Sequence, residues 1–404
     1  MIIAAGHCCL DIIPTFAPDA AGGLTPGALL EVGAAVMAPG GSVSNVGLTL
    51  HRLGAPVRLL GKVGDDPFGR LLLDLYAQVD PTLAGGMLIG PGETTSYSVV
   101  INQSGSDRIF LHCPGANHTL SAAEIVDVLA TPDLANVTIF HFGYPPLMRR
   151  MYHQEGAEVI QLFQAMKQRG IFTSLDMARP DPASEAGRAD WRAILSRTLP
   201  FVDLFAPSLD ELLFMLDRPR FERLREQYSD GRLLEGVDGA LLADLGDQLI
   251  AWGALMVAVK LGEQGLYFQT AKDSVRWETP AAINHPTLAN PAWRGRRVLA
   301  PCFQVDVIGA TGAGDATIAG FLMGLSQGSG PEQTLRDAVA VGACSVERVD
   351  ATSGVPGWET VQQRHAAVWA RRATRLALPG WEWDAASALW RAPDDQAGAS
   401  GLVR

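Results

Sequence analysis

A glycine-rich segment in the last quarter of the chain has the residue types that phosphoryl transfer requires. Its sequence, VDVIGATGAGDA at residues 305–316, continues into the apolar run TIAGFLMGL. This order predicts a strand, a glycine turn and a helix start, where backbone N–H groups without intrahelical partners attract anions. The spacing is neither GxGxxG nor a Walker A loop, which argues against a dinucleotide fold and against a P-loop.

Asp315 lies where this turn enters the helix. A carboxylate there can accept the proton of an attacking hydroxyl, while the N–H groups of Gly312, Ala313 and Gly314 stabilise the transferring phosphoryl oxygens. The alternative is an acid in the first turn that only the helix dipole favours, by about 0.3–1 kcal/mol. Asp315 is therefore a candidate general base, and the three residues before it are a candidate anion hole.

Two further positions carry side chains suited to substrate binding. Asn45 follows a second glycine turn, GGSVSN at residues 40–45, and its amide can bond ligand hydroxyls from the first turn of a helix. Arg179 follows a predicted strand and can approach a charged substrate group. The alternatives are a polar residue at a helix start for Asn45 and a surface arginine for Arg179.

Apolar strands alternate with amphipathic helices along most of the chain. This pattern predicts an α/β fold with a mostly parallel sheet covered on both faces, and ligands beyond the carboxyl ends of its strands. The predicted strands are 2–5, 57–63, 96–102, 137–142, 171–176, 202–206 and 255–261, and the predicted helices are 42–53, 68–78, 154–169, 211–216, 312–325, 332–348 and 359–376.

Several segments interrupt this alternation. Residues 94–113 read as a β-hairpin with its turn at 103–106, suited either to a small lid over a cleft or to an ordinary edge hairpin. Residues 217–245 are charged and predicted helical, 273–301 are predicted to form a long loop, and the chain from residue 379 onward is predicted to fray.

The composition limits the class of protein. The 404 residues carry a formal net charge of −11, which argues against a general binder of nucleic acid or of anionic membranes. No apolar run is long enough to cross a bilayer, and the first residues are typical of a buried strand rather than a signal peptide. The five cysteines lack CxxC spacing, which disfavours a disulfide framework or a zinc site and favours the cytoplasm.

Two long motifs resemble the signatures of a known family. The segment GGSVSNVGLTLHRLGAPVRLLGKVGDDPFG, at residues 40–69, and the segment ending GATGAGD, at residues 309–315, resemble the first and second signatures of the ribokinase-like (PfkB) carbohydrate kinases. The resemblance extends from the first strand to about residue 361. It implies a three-layer α/β kinase domain over residues 1–375, with a small β-sheet lid from about 15–37 and 94–113, followed by a tail at 376–404.

The resemblance also implies roles for residues at the acceptor and transfer sites. Asp315 corresponds to the catalytic base, and Gly312 to Gly314 correspond to the anion hole. Sugar hydroxyls are expected on Asp11, Gly40, Gly41 and Asn45. For Asp11 the alternative is a turn-forming residue near Pro14.

The resemblance implies an ATP site as well. The turn KLGEQG, containing Lys260, Gly262 and Gly265, is similar to the family's nucleotide-binding turn, and Gly342 is similar to the wall of its adenine pocket. Ser208 stands where the family usually has Asn, three residues before Glu211, which corresponds to the acid that supports Mg²⁺. Gly309 departs from the family, which usually has an acid there that helps hold a monovalent cation.

These features together predict an ATP- and Mg²⁺-dependent kinase acting on a hydroxyl of a sugar or polyol. Two alternatives remain: a nucleoside or sugar-phosphate kinase of the same fold, and a non-catalytic ligand-binding relative. In several relatives the lid pairs two subunits, so a homodimer through the lid is also expected.

Overall fold

The structure is a computed structural model that describes residues 1–16, 29–101, 109–134, 136–228, 233–279, 288–367 and 369–396. The predicted hairpin turn at 103–106 and residues 17–28 of the predicted lid lie outside the described residues.

A ten-stranded sheet forms the centre of the molecule, in the order β15-β16-β14-β13-β12-β11-β10-β9-β1-β4. The six strands from β12 to β4 in this order are parallel, and the strands on the other side of β12 pair antiparallel. The strands of this sheet are β1 (Ile2–Gly6), β4 (Val57–Leu60), β9 (Ile139–Gly143), β10 (Phe172–Asp176), β11 (Leu204–Phe205), β12 (Met256–Lys260), β13 (Leu266–Thr270), β14 (Arg297–Ala300), β15 (Glu382–Asp384) and β16 (Leu389–Arg391).

Helices cover both faces of this sheet. They are α1 (Gly41–Arg52), α2 (Pro67–Val79), α3 (Ala122–Val128), α4 (Arg149–Tyr152), α5 (Ala157–Gln168), α6 (Glu185–Arg188), α7 (Trp191–Thr198), α8 (Leu209–Leu216), α9 (Arg218–Gln227), α10 (Gly239–Ala251), α11 (Ala313–Ser326), α12 (Pro331–Ser345) and α13 (Trp358–Ala366).

Alternate residues of the central strands belong to two hydrophobic cores. Ile2 and Ala4 pack in the core that also contains residues of α1, α2, α11 and α12. Ile3 and Ala5 pack on the opposite face with residues of α3, α5, α7, α8 and α10. Because both faces are buried, every residue of β1 is apolar, as the near-continuous hydrophobic run predicted.

Two small sheets lie apart from the central sheet. Four strands pair in the order β3-β2-β7-β8, and β5 pairs with β6. Both edge strands of the four-stranded sheet expose apolar side chains. The strands are β2 (Cys9–Pro14), β3 (Ala35–Gly40), β5 (Lys62–Gly64), β6 (Leu88–Gly90), β7 (Tyr97–Ile101) and β8 (Ile109–Cys113).

Several predictions about the last third of the chain are wrong. Residues 382–384 and 389–391 do not fray, because β16 pairs with β14 and extends the central sheet. The predicted long loop at 273–301 contains β14, a strand of the same sheet. The predicted helix at 359–376 ends at Ala366. The predicted helical character of 217–245 is confirmed by α9 and by the start of α10.

The strand predicted before the glycine turn is also absent. Residues 304–308 form no strand, and Val307 and Ile308 are more than half exposed. In the central sheet β14 pairs with β16, and residues 304–308 add no strand to it. This apolar run instead lies beside a cavity near the start of α11.

Candidate active site

The carboxyl ends of neighbouring parallel strands bring the site together. In the strand register Gly143, the last residue of β9, lies beside Gly6 of β1 and beside Asp176 of β10. His7 directly follows β1, and Tyr144 directly follows β9. Lys260 ends β12 on the same edge, so four polar side chains start from one side of the sheet.

The glycine turn positions Asp315 in the first turn of α11. Gly312 caps the helix with a left-handed backbone (φ 73°), and a side chain there would collide with Ala351, which explains the glycine. Ala313 and Gly314 follow in the first turn, whose N–H groups point out of the helix end. The predicted anion hole and the predicted base are therefore adjacent.

The two oxygens of the Asp315 carboxylate have different environments. Oδ2 accepts hydrogen bonds from Asn45 Nδ2 at 2.9 Å and from the Tyr144 hydroxyl at 2.8 Å. Oδ1 is buried and has no hydrogen-bond partner among the described residues. The structure thus fixes the side chain through one oxygen and leaves the other available to a ligand.

Burial raises the pKa of Asp315 above the ordinary aspartate value. The Lys260 ammonium and the hydrogen bonds from Asn45 and Tyr144 act in the opposite direction, because they stabilise the carboxylate. A carboxyl group with a raised pKa is a better proton acceptor than a solvated aspartate and matches the task of a general base.

Lys260 lies among buried carboxylates. Its Nζ is 2.6 Å from Asp176 Oδ1, and Asp176 is fully buried. Burial by itself would lower the pKa of Lys260, but the carboxylates of Asp176, Glu211 and Asp315 outweigh it and raise the pKa. Lys260 is therefore a permanent cation at neutral pH.

Ser208 and Glu211 form a capping box at the start of α8. The Ser208 N–H donates to Glu211 Oε2 at 2.7 Å, and the Ser208 hydroxyl accepts from the Glu211 N–H at 3.4 Å. Burial raises the pKa of Glu211 to about 8. Ser208 also bridges to Lys260 through the backbone, which places the start of α8 beside β12.

The oxygen donors at this edge suit Mg²⁺ that is brought in with a phosphate ligand. Asp176 Oδ2 is buried and has no hydrogen-bond partner in the described part of the chain, and Glu211 lies close enough to influence the charge of Asp176. The described ranges contain no cluster of three or more His, Cys, Asp or Glu side chains that could hold a metal. Mg²⁺ usually binds one or two protein carboxylates together with substrate phosphates and water, and Asp176 and Glu211 fit that pattern.

The predicted acceptor residues lie close together, and one of them, Asn45, contacts Asp315. A side chain at Gly40 would collide with the Asp11 carboxylate, so the glycine lets Asp11 approach the turn. Gly41 has a left-handed backbone (φ 82°), and a methyl group there would lie 2.6 Å from His7 Nδ1. Asn45 donates to Asp315, and its own buried Oδ1 has no hydrogen-bond partner among the residues that the structure describes. The turn therefore joins Asp11 to the carboxylate of Asp315, the predicted base.

Asp11 and two histidines line this acceptor region. Burial raises the pKa of Asp11 to about 6. His7 Nε2 lies 3.4 Å from Nε2 of His112 on β8, so the small sheet contacts the central sheet at this point. Burial lowers the pKa of both histidines, that of His112 to about 4, and keeps them neutral.

A cavity of about 200 Å³ borders the anion hole at Ala313 and Gly314, and its lining residues do not include Asp11. The predicted nucleotide residues Lys260, Gly262, Gly265 and Gly342 all line it, together with Gly314. Gly265 has a positive φ of 101°, and a side chain there would collide with the Ala300 carbonyl, so the turn requires glycine. Ser208 does not line this cavity.

Two predicted positions differ from the expected environment. The Arg179 guanidinium lies 3.5 Å from Asp210 and stacks over Phe221, and no described contact joins it to the acceptor residues. Gly309 packs against the backbone of Arg348 and Val349, since a methyl group at Gly309 would lie 2.8 Å from the carbonyl oxygens of both residues.

Sequence analysis missed Tyr144, His7 and His112, and it included Asp176 only as the last residue of the predicted strand 171–176. Tyr144, His7 and Asp176 each stand at the carboxyl end of a predicted strand, which is the signal that could have found them. His112 has no such signal, since its role depends on how the small sheet lies over the central one.

The comparisons with known proteins agree with this geometry. The model of the pfkB family carbohydrate kinases matches residues 2–358. The chain belongs to this family. It is 25% identical over 381 residues to a fructokinase-1 of Oryza sativa subsp. japonica, covering 88% of this chain and 94% of that protein. It is also 25% identical over 311 residues to an uncharacterized sugar kinase of Archaeoglobus fulgidus, covering 76% of this chain and 98% of that protein.

Solved structures show the same fold. A fructokinase with bound ATP from Xylella fastidiosa superposes with a TM-score of 0.65 at 19% identity, covering 91% of this chain and 98% of that chain. A ribokinase of Arabidopsis thaliana complexed with ribose and ATP superposes with a TM-score of 0.63 at 18% identity, covering 90% and 97%. The predicted family and fold are confirmed: the protein is a carbohydrate kinase of a family that uses ATP with Mg²⁺.

Proposed function

We propose that the protein transfers the γ-phosphoryl group of ATP to a hydroxyl of a sugar or sugar-like polyol, with Asp315 as the general base. The observation that carries the proposal is Oδ1 of Asp315, which has no hydrogen-bond partner within the described ranges. It is buried, it belongs to a carboxylate held through its other oxygen, and it lies between the anion hole and the acceptor residues.

On this proposal the acceptor binds against Asp11, Gly40, Gly41 and Asn45. The Asp11 carboxylate and the unpartnered amide oxygen of Asn45 accept hydrogen bonds from hydroxyl groups. The carboxylate of Asp315 then accepts the proton of the hydroxyl that attacks. Asn45 and Tyr144 keep that carboxylate oriented during the transfer.

The nucleotide binds in the cavity lined by Gly262, Gly265 and Gly342. Mg²⁺, held through Asp176 and Glu211, neutralises phosphate charge when it is bound. The N–H groups of Gly312, Ala313 and Gly314 stabilise the charge that develops on the transferred group. The small sheet contacts the site through His112 and excludes water when it closes, which limits hydrolysis of ATP.

A panel of acceptors tests this proposal. Fructose and ribose come first, because the relatives named above are fructokinases and a ribokinase, followed by other sugars, inositols, fructose phosphates and nucleosides. ADP release that requires one neutral sugar, with a matching phosphorylated product by mass spectrometry, supports the proposal. Activity only on a nucleoside or a sugar phosphate favours the alternative kinase of the same fold. If no acceptor in the panel increases the release of ADP, the result contradicts the proposal.

The exposed apolar residues of the small sheet support a second proposal, a homodimer formed through the lid. Val36 and Met37 on one edge strand and Ile109, Phe110 and Leu111 on the other are each at least two-fifths exposed. Pairing of two such surfaces would bury them. Sedimentation velocity of the wild type and of Phe110→Asp measures this directly, and a wild-type monomer at micromolar concentration contradicts it.

The five cysteines are all free thiols, which supports a reducing compartment, and we propose the cytoplasm. No helix in the described part of the chain has the length and apolarity needed to span a membrane.

A further inference from the structure

The side chain of Lys260 runs from the end of β12 into the anion hole. A methyl group built on Gly314 would lie 3.3 Å from its Cδ, 3.4 Å from its Nζ and 3.5 Å from its Cε. These contacts place the ammonium against Gly314, the last residue of the turn that is predicted to bind the phosphoryl group. Because Gly314 has no side chain, the side chain of Lys260 has room to pack against it.

One carboxylate holds the ammonium in this position. Within the described residues the only hydrogen bond of Lys260 Nζ is to Asp176 Oδ1, at 2.6 Å. An ammonium carries three donors, so two N–H groups remain for a ligand. The side chain is only 12% exposed, which limits how well water can satisfy these two donors.

Lys260 also lies between the two halves of the site. It lines the cavity assigned to the nucleotide, and its charge acts on Asp315 at the acceptor side. A phosphoryl group that moves from the cavity to a hydroxyl on Asp315 passes the Gly314 turn, and with it the ammonium.

We propose that Lys260 is a catalytic residue of phosphoryl transfer, whose ammonium contacts oxygens of the group in transit while Asp176 holds it in place. The inference rests on the proposed kinase function. It gives Lys260 a role beyond the nucleotide-binding turn to which the sequence assigned it. A fixed cation that is already desolvated stabilises charge developing on the transferred group without reorganisation.

Removing Lys260 alone leaves buried carboxylates without their cation, so Lys260→Met is expected to lose stability for that reason. The double variant Lys260→Met/Asp176→Asn removes the ion pair together. Its reference is Asp176→Asn alone, which loses the same proposed Mg²⁺ ligand and keeps Lys260. Lys167→Met is the matched control, because it deletes another largely buried lysine that pairs with a buried aspartate, Asp203, at 2.7 Å outside the site. Melting temperatures of all four variants report on folding.

The first readout is binding, and it needs no acceptor. The β,γ-imido analogue of ATP carries a γ-phosphoryl group and ADP does not. By calorimetry with Mg²⁺ we expect the double variant to bind the analogue about tenfold or more weakly than Asp176→Asn does, the range of a lost hydrogen bond to a charged group, and to bind ADP within about twofold of Asp176→Asn. A purely structural role of Lys260 changes both affinities together, and equal changes overturn the proposal.

The second readout is turnover with the acceptor that the wild type uses. We expect kcat of the double variant to lie roughly 10²–10³-fold below that of Asp176→Asn, the range for a lost donor to developing charge, with the acceptor KM nearly unchanged. The Lys167→Met control keeps its kcat. A double variant within tenfold of the kcat of Asp176→Asn overturns the role of Lys260 and leaves the kinase proposal intact, whereas a wild type without acceptor-dependent turnover removes the kinase proposal and this inference with it.

Discussion

The hydrogen bond from Tyr144 to Asp315 gives a prediction whose size follows from the structure. Tyr144→Phe removes the hydroxyl that donates to Asp315 Oδ2 at 2.8 Å and leaves the bond from Asn45. A hydrogen bond to a charged group contributes about 1.5–3 kcal/mol, and this one stabilises only the ionised carboxylate. Losing it therefore raises the pKa of Asp315 further above the ordinary value, because the bond acts to lower it.

The consequence is a shift of the pH profile. At about 1.36 kcal/mol per tenfold change in proton affinity, the acid limb of kcat/KM for the acceptor moves up by about 1–2 pH units. The base must be ionised to act, so activity rises as pH increases through its pKa. Below the limb the variant is expected to be about 10- to 100-fold slower than wild type, and well above it the two rates converge.

The assay is acceptor-dependent ADP release between pH 5 and 9 at saturating MgATP. Tyr267→Phe is the matched control, because it also removes the hydroxyl of a buried tyrosine, one bonded to Gln269 in the central sheet rather than to Asp315. The control is expected to keep the wild-type acid limb. An unmoved acid limb in Tyr144→Phe, or an equal loss of rate at every pH, refutes the assignment of Tyr144 and Asp315.

Two other changes test the turns around the site. Gly265→Ala is expected to lower the free energy of unfolding by about 1–3 kcal/mol or more, because φ is 101° and the new methyl group collides with the Ala300 carbonyl. Urea unfolding measures this against Gly54→Ala, where φ is also positive but the space is open, and equal losses contradict the role of the collision. Asp11 has a pKa raised to about 6, so the acceptor KM is expected to fall as pH rises through 6 and the carboxylate ionises. Asp11→Asn is expected to lose this dependence, and a variant that keeps it shows that another group is responsible.

The sequence predicted those parts of the site that depend on local structure. Glycine turns that enter helices require particular backbone angles, and these are encoded within a few residues, as at Gly41 and Gly312. The turn from Gly262 to Gly265 is predicted for the same reason, because both glycines have a positive φ. These local signals placed Asp315, Asn45 and Lys260 correctly at the carboxyl edge of the sheet.

Features that depend on tertiary contacts were not predictable in this way. The ion pair between Lys260 and Asp176 joins residues 84 positions apart, and the contact between His7 and His112 joins residues 105 positions apart. Neither pair has a spacing signal in the sequence. The strands β15 and β16 were missed because each is only three residues long. Tertiary pairing makes them strands, since β16 pairs with β14 and β15 pairs with β16.

The most direct test of the whole account is the loss of phosphorylated product in Asp315→Asn. With the acceptor that the wild type uses, the variant is expected to turn over roughly 10²–10⁴-fold more slowly, the contribution of a general base, while its affinity for ATP analogues stays close to that of the wild type. A variant that forms the phosphorylated product at near wild-type rate contradicts the assignment of Asp315 as the base.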